Sequence, residues 1–303
     1  MGLSGSYYNS IKAMQVRLAR VSGFCGDGGK FGVSGAIRLA QEAALSNPGQ
    51  VYIVGDLVHN THVTDWLTDS YGIKFVKKLD QVPDGSTLVI KAHGAPPDFC
   101  TTCEAKNLHV VDATCPMVKA AQNLVRQFVS AGKKVIYVAS DKKHDEAISV
   151  SQQVDHGVKV VTLDELSALE IKNPLETVVL TQTTLSMLET QKAFAALQKK
   201  YPELAIRPHL CQATTERQRA VLELADEVDL LVVVGAPHSS NSRRLLEVAT
   251  STGKPAYAVD EAEDLDPAWF GAQIDSVGVI AGASTPEWIT QAVVAKIKTI
   301  NNE

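Results

Sequence analysis

Short runs of β-branched and apolar residues alternate along the chain with segments whose apolar positions recur at helical spacing. The runs read VRLARV, VYIVG, TLVIKA, LHVVDA, KVIYVA, VKVVTL, TVVLTQ, LLVVVG and VGVIAG, and between them lie stretches such as AIRLAQEAAL, AAQNLVRQFVSAG and MLETQKAFAALQKKY. Apolar strands separated by amphipathic helices predict parallel sheets covered on both faces, so the expected class is α/β. In open sheets of this kind ligands gather beyond the carboxyl ends of the strands. The residues just past those ends are therefore the first candidates for chemistry.

Nearly every predicted strand hands over a thiol, imidazole, hydroxyl or carboxamide there. Cys25 follows VRLARVSGF, His59 follows VYIVGDLV, His93 follows TLVIKA, Cys115 follows LHVVDAT, and His144 with Glu146 follows KVIYVASDKK. Thr181 to Thr184 (TQTT) follow TVVL, Cys211 follows LAIRPHL, His238 to Asn241 (HSSN) follow LLVVVGAP, and Ser284 follows VGVIAGA. Cys25, Cys115 and Cys211 recur at nearly equal intervals of about a third of the chain, which predicts three similar α/β units that each deliver one thiol to a common centre. The expected division is an N-terminal extension over 1–15, a first lobe over 16–115 with Cys25, a second over 116–210 with Cys115 at its start and His144 and Glu146 inside, and a third over 211–303 with Cys211 and the SSN motif.

The stretch GFCGDGGKFGV, residues 23–33, invites a phosphate loop, but its spacing fails. Gly29-Lys30 has Phe24 where a P-loop needs its first glycine and Phe31 where it needs a hydroxyl. The dinucleotide pattern has Gly26 and Gly28 in place, but Phe31 occupies its last position. Glycines beside Cys25 have another use, letting backbone N–H groups approach a bulky anion.

Composition narrows the field without naming a site. A chain of 303 residues, 45% hydrophobic and 21% charged, has the make-up of a globular protein with a sizeable core. A net charge of −5 supplies no basic field for nucleic acid, so an anionic ligand has to be held locally. No apolar run has the length of a membrane span and no secretory signal is visible, so the expected location is the cytoplasm. The opening MGLSGS matches a myristoylation pattern on paper, yet it reads more simply as a floppy extension.

Five cysteines in a chain of this length do not form a disulfide framework. Cys100 and Cys103 form the C-x-x-C pair that a structural zinc site would use, but PPD before them predicts a helix start with both thiols in its first turn. Zinc or redox chemistry there stays an alternative to a structural role. Three widely spaced thiols suit an iron–sulfur cluster held at three corners, with buried, chemically idle cysteines as the competing possibility. His59, His93, His144, Thr183, the SSN group and Ser284 facing one cavity would supply many donors to a diphosphate. Each charge-assisted hydrogen bond is worth about 1.5–3 kcal/mol, so an arginine clamp is not required. SSN also has the grammar of a helix N-cap, whose free N–H groups bind anions.

GFC, VHN, AHG, DATCP, the His-x-Glu of HDEA, TQTTLS, C-x-ATT-x-RQ, SSNS and AGAS-x-P occur in that order from Val16 to Ile300. In this set the sequence strongly resembles the 4-hydroxy-3-methylbut-2-enyl diphosphate reductase family, which closes the methylerythritol phosphate route to isoprenoids. The resemblance implies three α/β lobes arranged pseudo-threefold around a 4Fe-4S cluster, with Cys25, Cys115 and Cys211 as ligands and one iron open to the substrate's alcohol oxygen. It implies that His59, His93, His144, Thr183, Ser239, Ser240, Asn241 and Ser284 hold the diphosphate and hydroxyl end, that Glu146 donates a proton, and that a ferredoxin or flavodoxin supplies electrons.

Two departures accompany the resemblance. GDGGKF lengthens the loop between Cys25 and Gly32-Val33, and the family's His-Pro-Glu reads His144-Asp145-Glu146, followed by Ala147-Ile148-Ser149 in place of Val-Glu-Gly. The second departure removes a rigid φ from the turn that carries Glu146. An iron–sulfur relative acting on another diphosphate is the alternative that the altered Cys25 loop raises.

Overall fold

The computed structural model describes residues 14–19 and 32–300, so Cys25, Lys30 and the glycine-rich stretch as far as Phe31 lie outside the described residues. β1 (Gln15–Leu18) is followed by α1 (Gly32–Ser46), β2 (Val51–Val54), α2 (Thr61–Tyr71), β3 (Lys74–Val76), β4 (Thr87–Ile90), α3 (Pro97–Ala105) and β5 (His109–Asp112). A second run comprises α4 (Pro116–Ser130), β6 (Lys134–Val138), α5 (Asp145–Ser151), β7 (Val158–Val161), α6 (Leu163–Ala168), β8 (Thr177–Thr181), α7 (Met187–Lys200) and β9 (Ala205–Arg207). The third comprises α8 (Gln212–Ala225), β10 (Leu230–Val234), α9 (Ser240–Ser251), β11 (Ala256–Val259), β12 (Ser276–Ala281) and α10 (Glu287–Ile300).

The described strands form three four-stranded sheets, β3-β2-β4-β5, β7-β6-β8-β9 and β1-β12-β10-β11. Every pairing is parallel. The α/β class and the three-lobed arrangement expected from the sequence are both present. In the first two sheets the order in space is second, first, third and fourth strand of the lobe. The last sheet repeats this order only if β1 stands in as its fourth strand.

That substitution corrects the expected placement of the first strand. Residues from Val16 on were given to the first lobe, but Gln15–Leu18 pair in register with Ser276–Val279 of β12. Met14 and Val16 pack with Val277 and Val279 in the apolar layer of the third lobe. The physical reason is that the third run of chain supplies only three strands, leaving β12 with an open edge, while α1 packs against β2, β4 and β5. Met14 and Gln15, expected in a loose extension, are thereby part of the lobe.

The unbroken apolar runs are explained by burial on both faces. Along β6, Val135 and Tyr137 face one layer, while Ile136 and Val138 face the other. Leu230, Val232 and Val234 of β10 likewise enter a different layer from Leu231 and Val233. β3 and β11, which the sequence pattern did not reveal, are edge strands of three and four residues with mostly half-exposed side chains. Among the described residues no helix is long and apolar enough to cross a membrane.

Candidate active site

Where the carboxyl ends of the three sheets meet, one cavity collects Val58, His59, Ala92, His93, Cys115, Met117, His144, Glu146, Thr183, Thr184, Cys211, Thr214, Ser239, Ser240, Asn241 and Ser284. Every residue that the resemblance implies for the site is in this set except Cys25, which lies outside the described residues, whereas Cys100, Cys103 and His238 do not line the cavity. The gathering follows from the topology: His59 comes after β2, His93 after β4, His144 and Glu146 after β6, Thr183 after β8, the SSN group after β10 and Ser284 after β12. Cys115 and Cys211 are the N-cap residues of α4 and α8, and Ser239 is the N-cap of α9. Helix N-termini present free N–H groups and partial positive charge, which favours thiolates and bound anions.

Glu146 is 1% exposed. Its Oε1 accepts from the Thr183 N–H at 2.8 Å and from Tyr137 Oη at 3.0 Å, while Oε2 accepts from Thr183 Oγ1 at 2.8 Å. Burial nevertheless raises its pKa above the ordinary carboxylate value, the three hydrogen bonds oppose that rise, and the nearby Cys211 adds to it. Tyr137 is a partner that the sequence did not single out. Its signal was a tyrosine inside an apolar strand, because a buried phenol needs a hydrogen-bond partner.

The histidines form a tight set. Ring centroids of His59 and His93 lie 4.2 Å apart, those of His59 and His144 5.2 Å, and those of His93 and His144 5.6 Å. Burial lowers the pKa of all three, that of His144 to about 4, so near neutral pH they are uncharged imidazoles. His59 Nε2, His93 Nδ1 and both amide atoms of Asn241 are buried without a hydrogen-bond partner. Buried polar atoms are normally satisfied, so this cluster of orphans marks a place built for a ligand.

Ligand atoms of His59, His93 and His144 lie within 4.8 Å of one another, a spacing that also suits a metal ion. The tautomer of His144 argues for an anion instead. Its Nδ1 accepts the Glu146 N–H at 3.1 Å, which leaves the proton of the neutral ring on Nε2 as a donor rather than a metal ligand. Ser239, Ser240 and Ser284 add hydroxyls to the same wall.

Cys100 and Cys103 stand apart from the cavity. Cys103 is fully buried among Val82, Leu88 and Leu108, and burial pushes its thiol up to about 11, while Cys100 is raised in the same sense. A thiol held in its protonated form is a poor redox nucleophile. Among the described residues no cluster of metal-ligating groups includes either cysteine; Cys103 is a packing residue of α3 and Cys100 is its half-buried neighbour.

A protein-family model described as LytB protein matches residues 16–298. A 4-hydroxy-3-methylbut-2-enyl diphosphate reductase of Chromobacterium violaceum is 40% identical over 289 residues, covering 94% of this chain and 90% of that protein. The reductase of the same name from Actinobacillus succinogenes is 36% identical over 293 residues, covering 95% and 91%. The solved E-1-hydroxy-2-methyl-but-2-enyl-4-diphosphate reductase of Plasmodium falciparum superposes with a TM-score of 0.85 at 30% identity, covering 93% of this chain and 87% of that one. A second solved structure, of an (E)-4-hydroxy-3-methyl-but-2-enyl diphosphate reductase that is the terminal enzyme of the non-mevalonate pathway, gives 0.66 at 31% identity, covering 94% and 99%. On the match across its length and the identity to these relatives, the chain belongs to the LytB protein family.

Proposed function

We propose that this chain is an oxidoreductase that removes the allylic hydroxyl of (E)-4-hydroxy-3-methylbut-2-enyl diphosphate, giving isopentenyl and dimethylallyl diphosphate in the last step of the methylerythritol phosphate pathway. The observation that carries the proposal is one cavity holding two N-cap cysteines, a buried glutamic acid and a set of unpartnered buried polar atoms. The donor set fits an iron–sulfur cluster, because Cys115 and Cys211 reach the cavity from helix N-termini, where thiolate is favoured. Cys25 is the third ligand in this proposal. Cys25, Cys115 and Cys211 would hold a 4Fe-4S cluster, which would relay the donor's two electrons one at a time and offer a Lewis acid to the departing oxygen.

The residues of the chain divide the remaining work. In this reading His59, His93, His144 and Asn241, which line the cavity, hold the diphosphate together with Ser239 and Ser240 at the start of α9. An anion lodged against the imidazoles draws their pKa values back up, so binding brings protons into the site. Thr183 and Ser284 complete the polar wall.

Glu146, kept protonated more readily by burial, holds the proton that lets the hydroxyl leave as water, and Tyr137 and Thr183 fix its carboxyl group. The balance is one C–O bond broken, two electrons consumed, one proton to the hydroxyl and one to either end of the allylic carbon skeleton. A reduced ferredoxin or flavodoxin supplies the electrons. We place the reaction in the cytoplasm, a reducing compartment in which ligand thiols persist.

Anaerobically prepared protein with its cluster, given the hydroxylated diphosphate and dithionite, is expected to form both products. Glu146→Gln is expected to keep its iron and bind substrate but to lose turnover by about 100-fold or more. No product from cluster-loaded parent protein overturns the function. A Glu146→Gln rate close to that of the parent removes Glu146 from the proton path.

A further inference from the structure

His93 and the pair His144 and Glu146 reach the cavity from different lobes, so their mutual geometry depends on the seam between the turn after β4 and helix α5. Three polar contacts tie the described residues of that turn to α5 and its exit. Lys91 Nζ lies 2.6 Å from Asp145 Oδ2, with both side chains partly shielded at 20% and 32% exposure. Ser149 Oγ donates to the backbone carbonyl of His93 at 2.5 Å. Gln153 Nε2 donates to the carbonyl of Ala95 at 3.2 Å.

The spacing makes these contacts a set. Asp145, Ser149 and Gln153 are four residues apart, which stacks them on one face of α5 and its exit, and they grip alternate residues Lys91, His93 and Ala95. The gripped turn is closed by the Gly94 N–H donating to Lys91 O at 3.0 Å. Gly94 sits at φ +79, and a Cβ there would lie 2.8 Å from Gln122 Nε2 and 3.1 Å from Ser149 Oγ. A side chain would therefore hold the seam open.

We propose that Lys91 and Asp145 are positioning residues for the reaction, their ion pair forming the outer end of a three-point clamp that fixes His93 against His144 and Glu146. Asp145 is the first residue of α5 and stands directly between His144 and Glu146 in sequence. A shift of Asp145 therefore moves both groups. Lys91 is two residues before His93 on the opposite side of the seam. The clamp acts on the substrate site described above and rests on that functional assignment.

Steady-state kinetics per cluster-loaded protein test the proposal, because opposite charges make it distinguishable from simple electrostatics. If the two residues acted only through their charge on the bound diphosphate, Lys91→Met would raise KM and Asp145→Asn would lower it. Positioning requires both to raise KM, by about tenfold each, since small misplacements of binding groups carry large penalties. Lys91→Arg, which keeps the pair, is expected within about twofold of the parent, and the double variant is expected to be no worse than the poorer single, the mark of coupled residues.

A purely structural role would lower the unfolding midpoint or the cluster-loaded fraction and leave KM of the loaded protein unchanged. Parent-like KM in the single variants, shifts of opposite sign, or additive effects in the double variant each overturn the proposal. Asp145→Asn is nearly isosteric and keeps the test open should Lys91→Met fail to fold. Absence of turnover by the cluster-loaded parent instead overturns the functional assignment beneath it.

Discussion

Burial shifts Glu146 and the three histidines in opposite directions, and the consequence is a defined response to acid. Burial lowers His59, His93 and His144 below the ordinary value of 6.5, His144 to about 4. Below 6.5 the unfolded chain therefore binds more protons than the folded one, so stability rises with pH across this window and is lost on acidification. Glu146 acts the other way: its raised pKa gives stability that is fully present below the unfolded carboxylate value and lost as pH rises through the folded value. With His144 near 4 in the folded state, its contribution is lost steadily as pH falls between about pH 7.5 and 5.5. The fall in denaturation midpoint over that interval is expected to be smaller in His144→Asn, which keeps an N-cap acceptor for the Glu146 N–H, than in the parent. An equal fall in both would contradict the assignment.

At this scale the cavity residues were legible because their type and place both spoke: a histidine, cysteine or serine just past an apolar strand has few structural reasons to be there. Tyr137, Lys91 and Asp145 were not legible. Tyr137 is hidden among the buried apolar residues of β6, and the Lys91–Asp145 pair exists only once two lobes are packed together. The departure at Asp145 was visible in sequence as a lost rigid turn. Its replacement by an ion pair across the seam was not.

At the level of elements, each cysteine of the proposed cluster site follows the fourth strand of a sheet: Cys25 after β1, Cys115 after β5 and Cys211 after β9. Cys115 and Cys211 then open the next helix. Cys100 and Cys103 lie inside α3, with Cys103 packed into the core of the first lobe. Cys115→Ser is accordingly expected to abolish bound iron and sulfide after anaerobic preparation, whereas Cys100→Ser leaves both at the parental level. Equal loss from the two variants would refute the ligand assignment. The central strands were readable because burial on both faces demands unbroken apolar runs. β3 and β11 escaped because an edge strand of three or four half-exposed residues, KFV or AYAV, carries little periodicity.

Across the whole molecule the third lobe is completed by a permutation of chain order. The third sheet borrows β1 from the amino-terminal end, so each sheet has the same strand order and each presents its carboxyl ends to the same cavity. Equal cysteine spacing made three units legible. The closure by β1 was not, because sequential neighbours usually pair and nothing in VRLARV names a partner nearly a full chain length away. The central claim is that this shared cavity brings the cluster and the substrate together. Mössbauer spectroscopy of protein enriched in iron-57, with saturating hydroxylated diphosphate and no reductant, tests it most directly. Binding at one open iron is expected to change about a quarter of the iron signal and leave the remainder as in the substrate-free protein. A spectrum unchanged by substrate, or altered equally at all iron sites, would contradict it.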